Sequence, residues 1–257
     1  VIIFHLVIWG VFEYSIPLGV SGGMSAGCAV ENWQHGFGLN PALFIIGKRF
    51  GAGASYVNPY GLPEVQCGNL GIKARWGRLN SGFAISSIGV AKYHEHNVQL
   101  GLAGEIFPYL GVGINVHGLI QNVPQGEGDA VLGIDAGVLW KTDRFKLGVA
   151  GMSLNSPRLN NGDRIYPSFR IGGGWEPTSG LLLAGDICRE NGVDILLAGL
   201  EVRVLPEVKI RAGIETLPLS YCGGVGFRVD WFGLNYSYRF HPELEGTHIL
   251  GIFCEWE

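Results

Sequence analysis

Residues 193–256 read VDILLAGLEVRVLPEVKIRAGIETLPLSYCGGVGFRVDWFGLNYSYRFHPELEGTHILGIFCEW. Apolar and polar positions alternate through them, one short stretch after another. Leu196, Ala198, Leu200, Val202 and Val204 share one face, and Leu197, Gly199, Glu201 and Arg203 share the other. After Leu205-Pro206-Glu207 the pattern resumes, with Val208, Ile210, Ala212 and Ile214 opposite Lys209, Arg211, Gly213 and Glu215. Tyr221, Val225 and Phe227 then oppose Cys222, Gly224, Gly226 and Arg228. A period of two puts one face of a β-strand in an apolar medium and the other in a polar one. Strands of about ten residues joined by tight turns, with charges and small residues on one face, are the pattern of a membrane β-barrel.

Working outward, the whole chain carries that signature. It has 257 residues, 47% apolar and only 16% charged, against about 25% charged in soluble domains. After the extreme N-terminus no apolar run reaches the ~18–20 residues of a membrane helix. A polar lumen face diluting an apolar lipid face accounts for both observations. The 42 glycines suit turns and crowded strand positions and would be costly in helices. The net charge of −4, with no basic cluster, gives a nucleic-acid partner no electrostatic support. The cysteines (28, 67, 188, 222 and 254) are dispersed and odd in number, which disfavours a disulfide framework or a zinc knuckle.

Three regions follow. Residues 1–20 read as a signal sequence around the apolar stretch Val1–Phe12, with an N-terminal core strand as the alternative. Residues 21–43 break the alternation and read as a short helical or turn segment folded into the barrel as a plug, with Trp33, Asn40 and Pro41 as its markers; a periplasmic tail is the alternative. Residues 44–257 read as an all-β, transmembrane, antiparallel up-and-down barrel of about fourteen strands. The expected spans are 44–57, 64–76, 79–89, 93–106, 109–120, 129–141, 144–154, 165–176, 180–189, 194–204, 207–217, 219–229, 231–240 and 246–256. One alternate set of connections is short (Gly77-Arg78, Phe107-Pro108, Thr142-Asp143, Asp230) and the other mostly longer (58–63, 121–128, 155–164, 241–245). Outer-membrane barrels show that asymmetry, with the short turns in the periplasm.

The lumen lining follows from cost. A Lys or Arg facing lipid at the midplane costs about 2–4 kcal/mol, and a one-residue slip would put every charge there. Glu105, Asp135, Arg170, Asp186, Glu201, Arg203, Lys209, Arg211, Glu215 and Arg228 are therefore expected inside. Both signs are present, which favours salt bridges across the lumen over an open ion channel.

The run AGCAVENWQHGFGLNPAL, residues 26–43, resembles the N-terminal signature of the PorV/PorQ-like outer-membrane proteins, relatives of the FadL-type barrels. That signature reads Gly-x-Ala-Val-Ala, an acidic residue, then Asn-Pro-Ala-Gly. It maps to Gly27, Ala29, Val30, Glu31, Asn40, Pro41 and Ala42, with Leu43 where the family has Gly. Tyr60-Gly61-Leu62-Pro63-Glu64 and His241-Pro242-Glu243-Leu244 add to the likeness. It implies a fourteen-stranded barrel with an N-terminal segment near the lumen. It also implies a part in type IX-like protein secretion, binding or shuttling cargo through C-terminal signal domains. The alternative is FadL-like transport of hydrophobic small molecules. On the residues alone, a charged and glycine-rich lumen favours the secretion reading, because a fatty acid would desolvate Lys209, Arg211, Glu215 and Arg228.

Other constellations are weaker. His94 and His96 share one strand face and invite a metal, but no third ligand stands nearby in sequence. Asn115 and His117 share the lumen face of a strand, yet no Gly-x-Ser-x-Gly elbow accompanies them. No enzyme, metal or cofactor is expected. Gly111-Val112-Gly113 and Gly223–Gly226 sit inside alternating strands and read as packing positions, since a phosphate loop must open a helix. Trp231, Tyr236, Tyr238, Phe240 and Trp256 read as parts of the interfacial aromatic girdles. The expected location is the outer membrane of a diderm bacterium, with its lipid as the first partner.

Overall fold

The computed structural model describes residues 21–30, 32–90, 93–122, 128–160 and 162–257. The signal sequence expected over residues 1–20, and Glu31 of the N-terminal signature, lie outside them. Fourteen antiparallel strands close into one barrel, each paired with its neighbours in chain order and β1 with β14. They are β1 Phe50–Asn58, β2 Val65–Trp76, β3 Leu79–Val90, β4 Tyr93–Phe107, β5 Leu110–Asn122, β6 Asp129–Lys141, β7 Phe145–Met152, β8 Ser168–Thr178, β9 Leu181–Glu190, β10 Val193–Leu205, β11 Val208–Thr216, β12 Leu219–Val229, β13 Phe232–Phe240 and β14 Thr247–Trp256. A closed ring leaves no unpaired sheet edge, which is what hydrocarbon demands of a spanning backbone.

The alternation decides which face meets lipid. Ile72, Leu100, Leu132, Ile171 and Leu196 are half or more exposed on the outside. In water such a belt would be untenable; in a bilayer it is the stabilised surface. Trp76, Phe107, Tyr109, Phe145, Trp231 and Trp256 ring the short-turn end, and Tyr56, Tyr166, Phe169, Tyr221, Tyr238 and Phe240 the other. The chain is an integral β-barrel of the outer membrane.

Two expectations are corrected. Strand β1 begins at Phe50 and not at Phe44. Phe44-Ile45-Ile46 looks like the start of a strand, but Pro41–Ile45 is a 3-10 turn with all five residues buried. Gly47, in the left-handed region at φ 82°, then redirects the backbone before the wall starts. The plug segment therefore runs past residue 43. The connection asymmetry is also weaker than expected. Only Asn191 and Gly192 join β9 to β10, and only Leu217 and Pro218 join β11 to β12. Asn191 and Gly192 both take positive φ, the geometry of a tight hairpin.

One part of the wall departs from regular pairing. Strand β7 is short, and β6 pairs with it only from Ala136 to Lys141. Beyond that level the connection after Met152 folds against the β6 edge. Leu154 N–H donates to Ile134 O at 2.8 Å. The Asn155 side chain accepts from Ile134 N–H at 3.0 Å and donates to Leu132 O at 2.7 Å. A side-chain amide thus completes a ladder that β7 leaves unfinished.

Candidate functional site

The site is the lumen, and its centre is the segment from Ser21 to Gly47. Helix α1 (Ser21–Met24) lies against β10–β13. A first 3-10 turn, Trp33–Phe37, starts at Asn32, whose side chain accepts from Gln34 N–H. The second, Pro41–Ile45, starts at Asn40, whose Oδ1 accepts from Ala42 N–H at 3.1 Å. A capping Asn followed by Pro is a strong local start signal. The other end of the Asn40 amide ties the segment together and to the wall, donating to Cys28 O at 2.9 Å and Val138 O at 3.1 Å. Trp33, Phe37 and Phe44 form its apolar heart, with the two phenyl rings edge to face at 4.7 Å.

The wall makes room for this segment by having no side chains there. A Cβ on Gly51 would lie 2.8 Å from the Trp33 ring, one on Gly82 2.7 Å from Phe44, and one on Gly213 2.5 Å from the Met24 backbone. Gly101, Gly113 and Gly148 are blocked in the same way by Phe44, Pro41 and Cys28. The lumen glycines are therefore a seat cut to the plug.

Polar groups hold the segment in that seat. Asp186, 4% exposed, accepts from Gly27 N–H at 2.8 Å and Cys28 N–H at 2.9 Å, and Arg170 lies 3.3 Å away. Asn115 donates to Gly36 O at 2.8 Å. Arg75 donates to Ile45 O and Gly47 O, each at 2.8 Å, and Lys73 donates to Ile46 O. Charge-assisted bonds to main chain are the stronger kind. His35 is buried, with Nδ1 donating to Gly27 O at 3.3 Å and Nε2 without a partner. Burial pushes its pKa down to about 4, so the ring is neutral in the seat.

Below the plug, towards the short turns, lies a charged cavity of about 720 Å³. Glu201 pairs with Lys209 at 2.5 Å and Arg211 at 2.7 Å; Arg228 pairs with Glu255 at 2.9 Å. Arg203 also lines it. Lys141 pairs with Glu105 at 2.6 Å, on a partly exposed rim. Of the expected lining residues, Glu201, Arg203, Lys209, Arg211 and Arg228 come together here, and Glu105 sits at the edge. Arg170 and Asp186 instead hold the plug. Glu215 pairs with Arg239 at 3.0 Å. Asp135 is fully buried and accepts from Ser153 N–H at 2.8 Å.

Above the plug, towards the longer connections, the lining changes character. Ile249, Val57, Cys67 and Ile88 are lateral neighbours on β14, β1, β2 and β3 and pack with Val65 and Leu62. One rung deeper, Ser55, Asn69, Ser86 and Asn97 are lateral neighbours on β1–β4. Deeper again, Gln99 neighbours His117. His117 Nε2 stands 3.3 Å from Asp135 Oδ1 but is too poorly aligned for a hydrogen bond. Of the residues in this region the sequence points to Asn115, His117 and Asp135. The polar rung shows no motif, because its members come from four strands and meet only through register.

His94 and His96 stack in parallel, ring centres 6.1 Å apart. They share the alternation of the exposed Leu100 and so sit on the outward face. Among the described residues no group of three His, Cys, Asp or Glu side chains is placed to hold a metal.

A fourteen-stranded outer-membrane barrel with an N-terminal segment folded into its lumen is the class that the fold and site define. In solved structures it is similar to the toluene transporter TbuX of Ralstonia pickettii, with a TM-score of 0.71 and 11% identity over 93% of this chain and 98% of that one. It is similar to the toluene transporter TodX of P. putida, at 0.67 and 12%, over 92% and 98%. A FadL homologue of Pseudomonas aeruginosa matches at 0.61 and 12%, over 97% of each chain. No protein-family model and no curated protein sequence matches the chain. At these identities the likeness is one of fold.

Proposed function

We propose that the protein carries hydrophobic small molecules across the outer membrane, as a passage that performs no chemistry. The observation that carries this is the division of the lumen by the plug. A seated segment stands between a packed apolar cluster towards the longer connections and a charged cavity towards the short turns. Such a partition suits a molecule that enters above, waits on the plug and leaves below when the plug shifts. The similar barrels from R. pickettii and P. putida are toluene transporters, which supports the same ranking.

The objection drawn from lumen charge loses its force here. Arg211, Lys209, Glu215 and Arg228 are each paired with an opposite charge, and none lies on the upper rungs of β1–β5. An apolar guest above the plug does not strip their water. The secretion reading is correspondingly weaker, since short connections such as Asn191-Gly192 and Leu217-Pro218 offer little to hold a cargo domain. Pro41, Asn40 and Trp33 serve as the plug in this proposal.

Uptake tests it directly. Cells without their own hydrophobic uptake channels, expressing this protein, should accumulate radiolabelled toluene faster than vector controls. Equal uptake, together with capture of a secreted protein's C-terminal β-domain by the purified barrel, would restore the secretion reading.

A further inference from the structure

The cavity below the plug holds more positive charge than it neutralises. Three pairs on its lining cancel: Lys141 with Glu105, Lys146 with Glu176, and Arg228 with Glu255. That leaves Arg75, Arg203, Lys209 and Arg211 against Glu201 and Glu207, a surplus of two positive charges. The whole chain carries −4, so the surplus belongs to this cavity.

It is concentrated on β10 and β11. Arg203 and Lys209 are direct partners across those two strands, a placement in which like charges repel. Glu201, two residues along β10, is already shared by Lys209 at 2.5 Å and Arg211 at 2.7 Å. Among the described residues no carboxylate pairs with Arg203. Arg75 spends its donors on Asn80 and on the plug carbonyls of Ile45 and Gly47. Glu207 is exposed on the turn between β10 and β11, where solvent and salt screen it. Arg203 is exposed and Lys209 partly so, so a solute arriving from the short-turn side meets both.

The cavity also has apolar walls. Trp33 and Ile46 of the plug lie over it, and Leu182 and Phe253 line its sides. Leu182 is the lateral partner of Glu201. The volume of about 720 Å³ falls within the ~300–1,000 Å³ of small-molecule sites. A cation would add to the repulsion, and a neutral molecule would leave it untouched. A carboxylate brings one charge and answers half of the surplus. A phosphate monoester brings about −1.5 to −2 and three acceptor oxygens. Those serve the planar fork of Arg203 and the ammonium of Lys209 together. Its organic body then has the apolar walls to meet, which inorganic phosphate leaves unused.

We propose that Arg203 and Lys209 bind the phosphate of a small organic phosphate monoester, with its organic body against Leu182, Phe253 and Trp33. The site opens to the short-turn side of the plug and stands independently of the transport reading.

Equilibrium dialysis tests it, with radiolabelled phenyl phosphate, inorganic phosphate, benzoate and phenol against the protein in zwitterionic-lipid nanodiscs at pH 8 and low salt. Empty nanodiscs supply the background. Phenyl phosphate should bind at least about tenfold tighter than the other three. It should bind about tenfold more weakly to Arg203→Gln and to Lys209→Gln, the worth of one charge-assisted bond. Glu207→Gln removes an acid from the rim and should tighten binding about twofold, a gain that damage to the fold does not imitate. Arg189→Gln, whose side chain pairs with Asp194 at the opposite end of the barrel, should change nothing. Heat-modifiable gel migration certifies that each variant is folded. Phenyl phosphate no tighter than phenol overturns the site, as does unchanged affinity in both Arg203→Gln and Lys209→Gln. Benzoate or inorganic phosphate as tight as phenyl phosphate overturns the assignment to an organic dianion.

Discussion

The two halves of the lumen are built on opposite plans. From the plug down to the short turns, almost every charge has a partner: Glu201 with Lys209 and Arg211, Arg228 with Glu255, Asp186 with Arg170 and two plug amides. Towards the longer connections Ser55, Asn69, Asn97 and Gln99 each have a side-chain oxygen that is buried without a partner. The lower half is thus organised by paired charge, and the upper half by apolar packing and neutral side chains. Charge density is for that reason a poor guide to where a ligand sits in this barrel. Most of the charges hold a structure together, and only one left over, such as Arg203, is free to take a ligand.

The comparison can be attacked at its strongest point first. Asp186→Ala removes the acceptor for Gly27 and Cys28 N–H and strands Arg170, and breaking a buried pair costs about 3–5 kcal/mol. The plug should leave its seat, seen as faster sugar-driven swelling of proteoliposomes and a lower heat-modification temperature. Unchanged swelling would mean that the plug is held by packing alone.

Acid should come next. His35 has a pKa of about 4 when seated, against 6.5 when free. The lowered value means that the seated state binds the proton more weakly, so the contribution is full above pH 6.5 and is lost as pH falls towards 4. The loss amounts to about 3 kcal/mol. Single-channel conductance in planar bilayers should rise over that window, and His35→Gln should flatten the rise. A wild-type profile flat from pH 7 to 4 would refute the buried neutral imidazole.

A smaller effect is expected from Gly82→Val, which drives a side chain into Phe44 and Phe37. Overpacking of this kind costs about 1–3 kcal/mol. Its heat-modification temperature should fall, and restoring space with Phe44→Ala in the same chain should recover part of the loss. The least change is expected in the upper half. Ser55→Ala removes a group that has no partner, so the melting behaviour should shift by less than about 0.5 kcal/mol. A drop comparable to that of Asp186→Ala would show that the upper rung is as finished as the lower one.

Much of this architecture was legible beforehand, for physical reasons that differ by region. Strands with one face in lipid must alternate, so Val193–Trp256 announces its hairpins, and the inward side of Arg211 and Glu215 follows from the cost of the other choice. The plug boundary was hidden because Phe44, Ile45 and Ile46 are as suitable for a strand as for a buried turn. The seat was hidden because a glycine says nothing about what its missing side chain makes room for. The polar rung of β1–β4 was hidden more deeply. Ser55, Asn69, Ser86 and Asn97 are far apart in sequence, and Val57, Cys67, Ile88 and Ile249 place apolar groups on the lumen face, where alternation leads one to expect polar ones. The preference for secretion came from counting lumen charges without knowing which were paired.

Chain order gives the glycine seat a meaning for assembly. The plug immediately precedes β1, and β1 is the strand that meets β14 to shut the ring. Trp33 lies against Gly51 and Gln34 against Gly53, whose partners across that seam are Glu255 and Phe253. The seam that joins the two ends of the sheet is therefore one that the plug leans on. With bare backbone facing it on most sides, the segment leaves no slack through which it could be threaded later. The segment and the bore are matched to each other, glycine by glycine, like a casting and its mould.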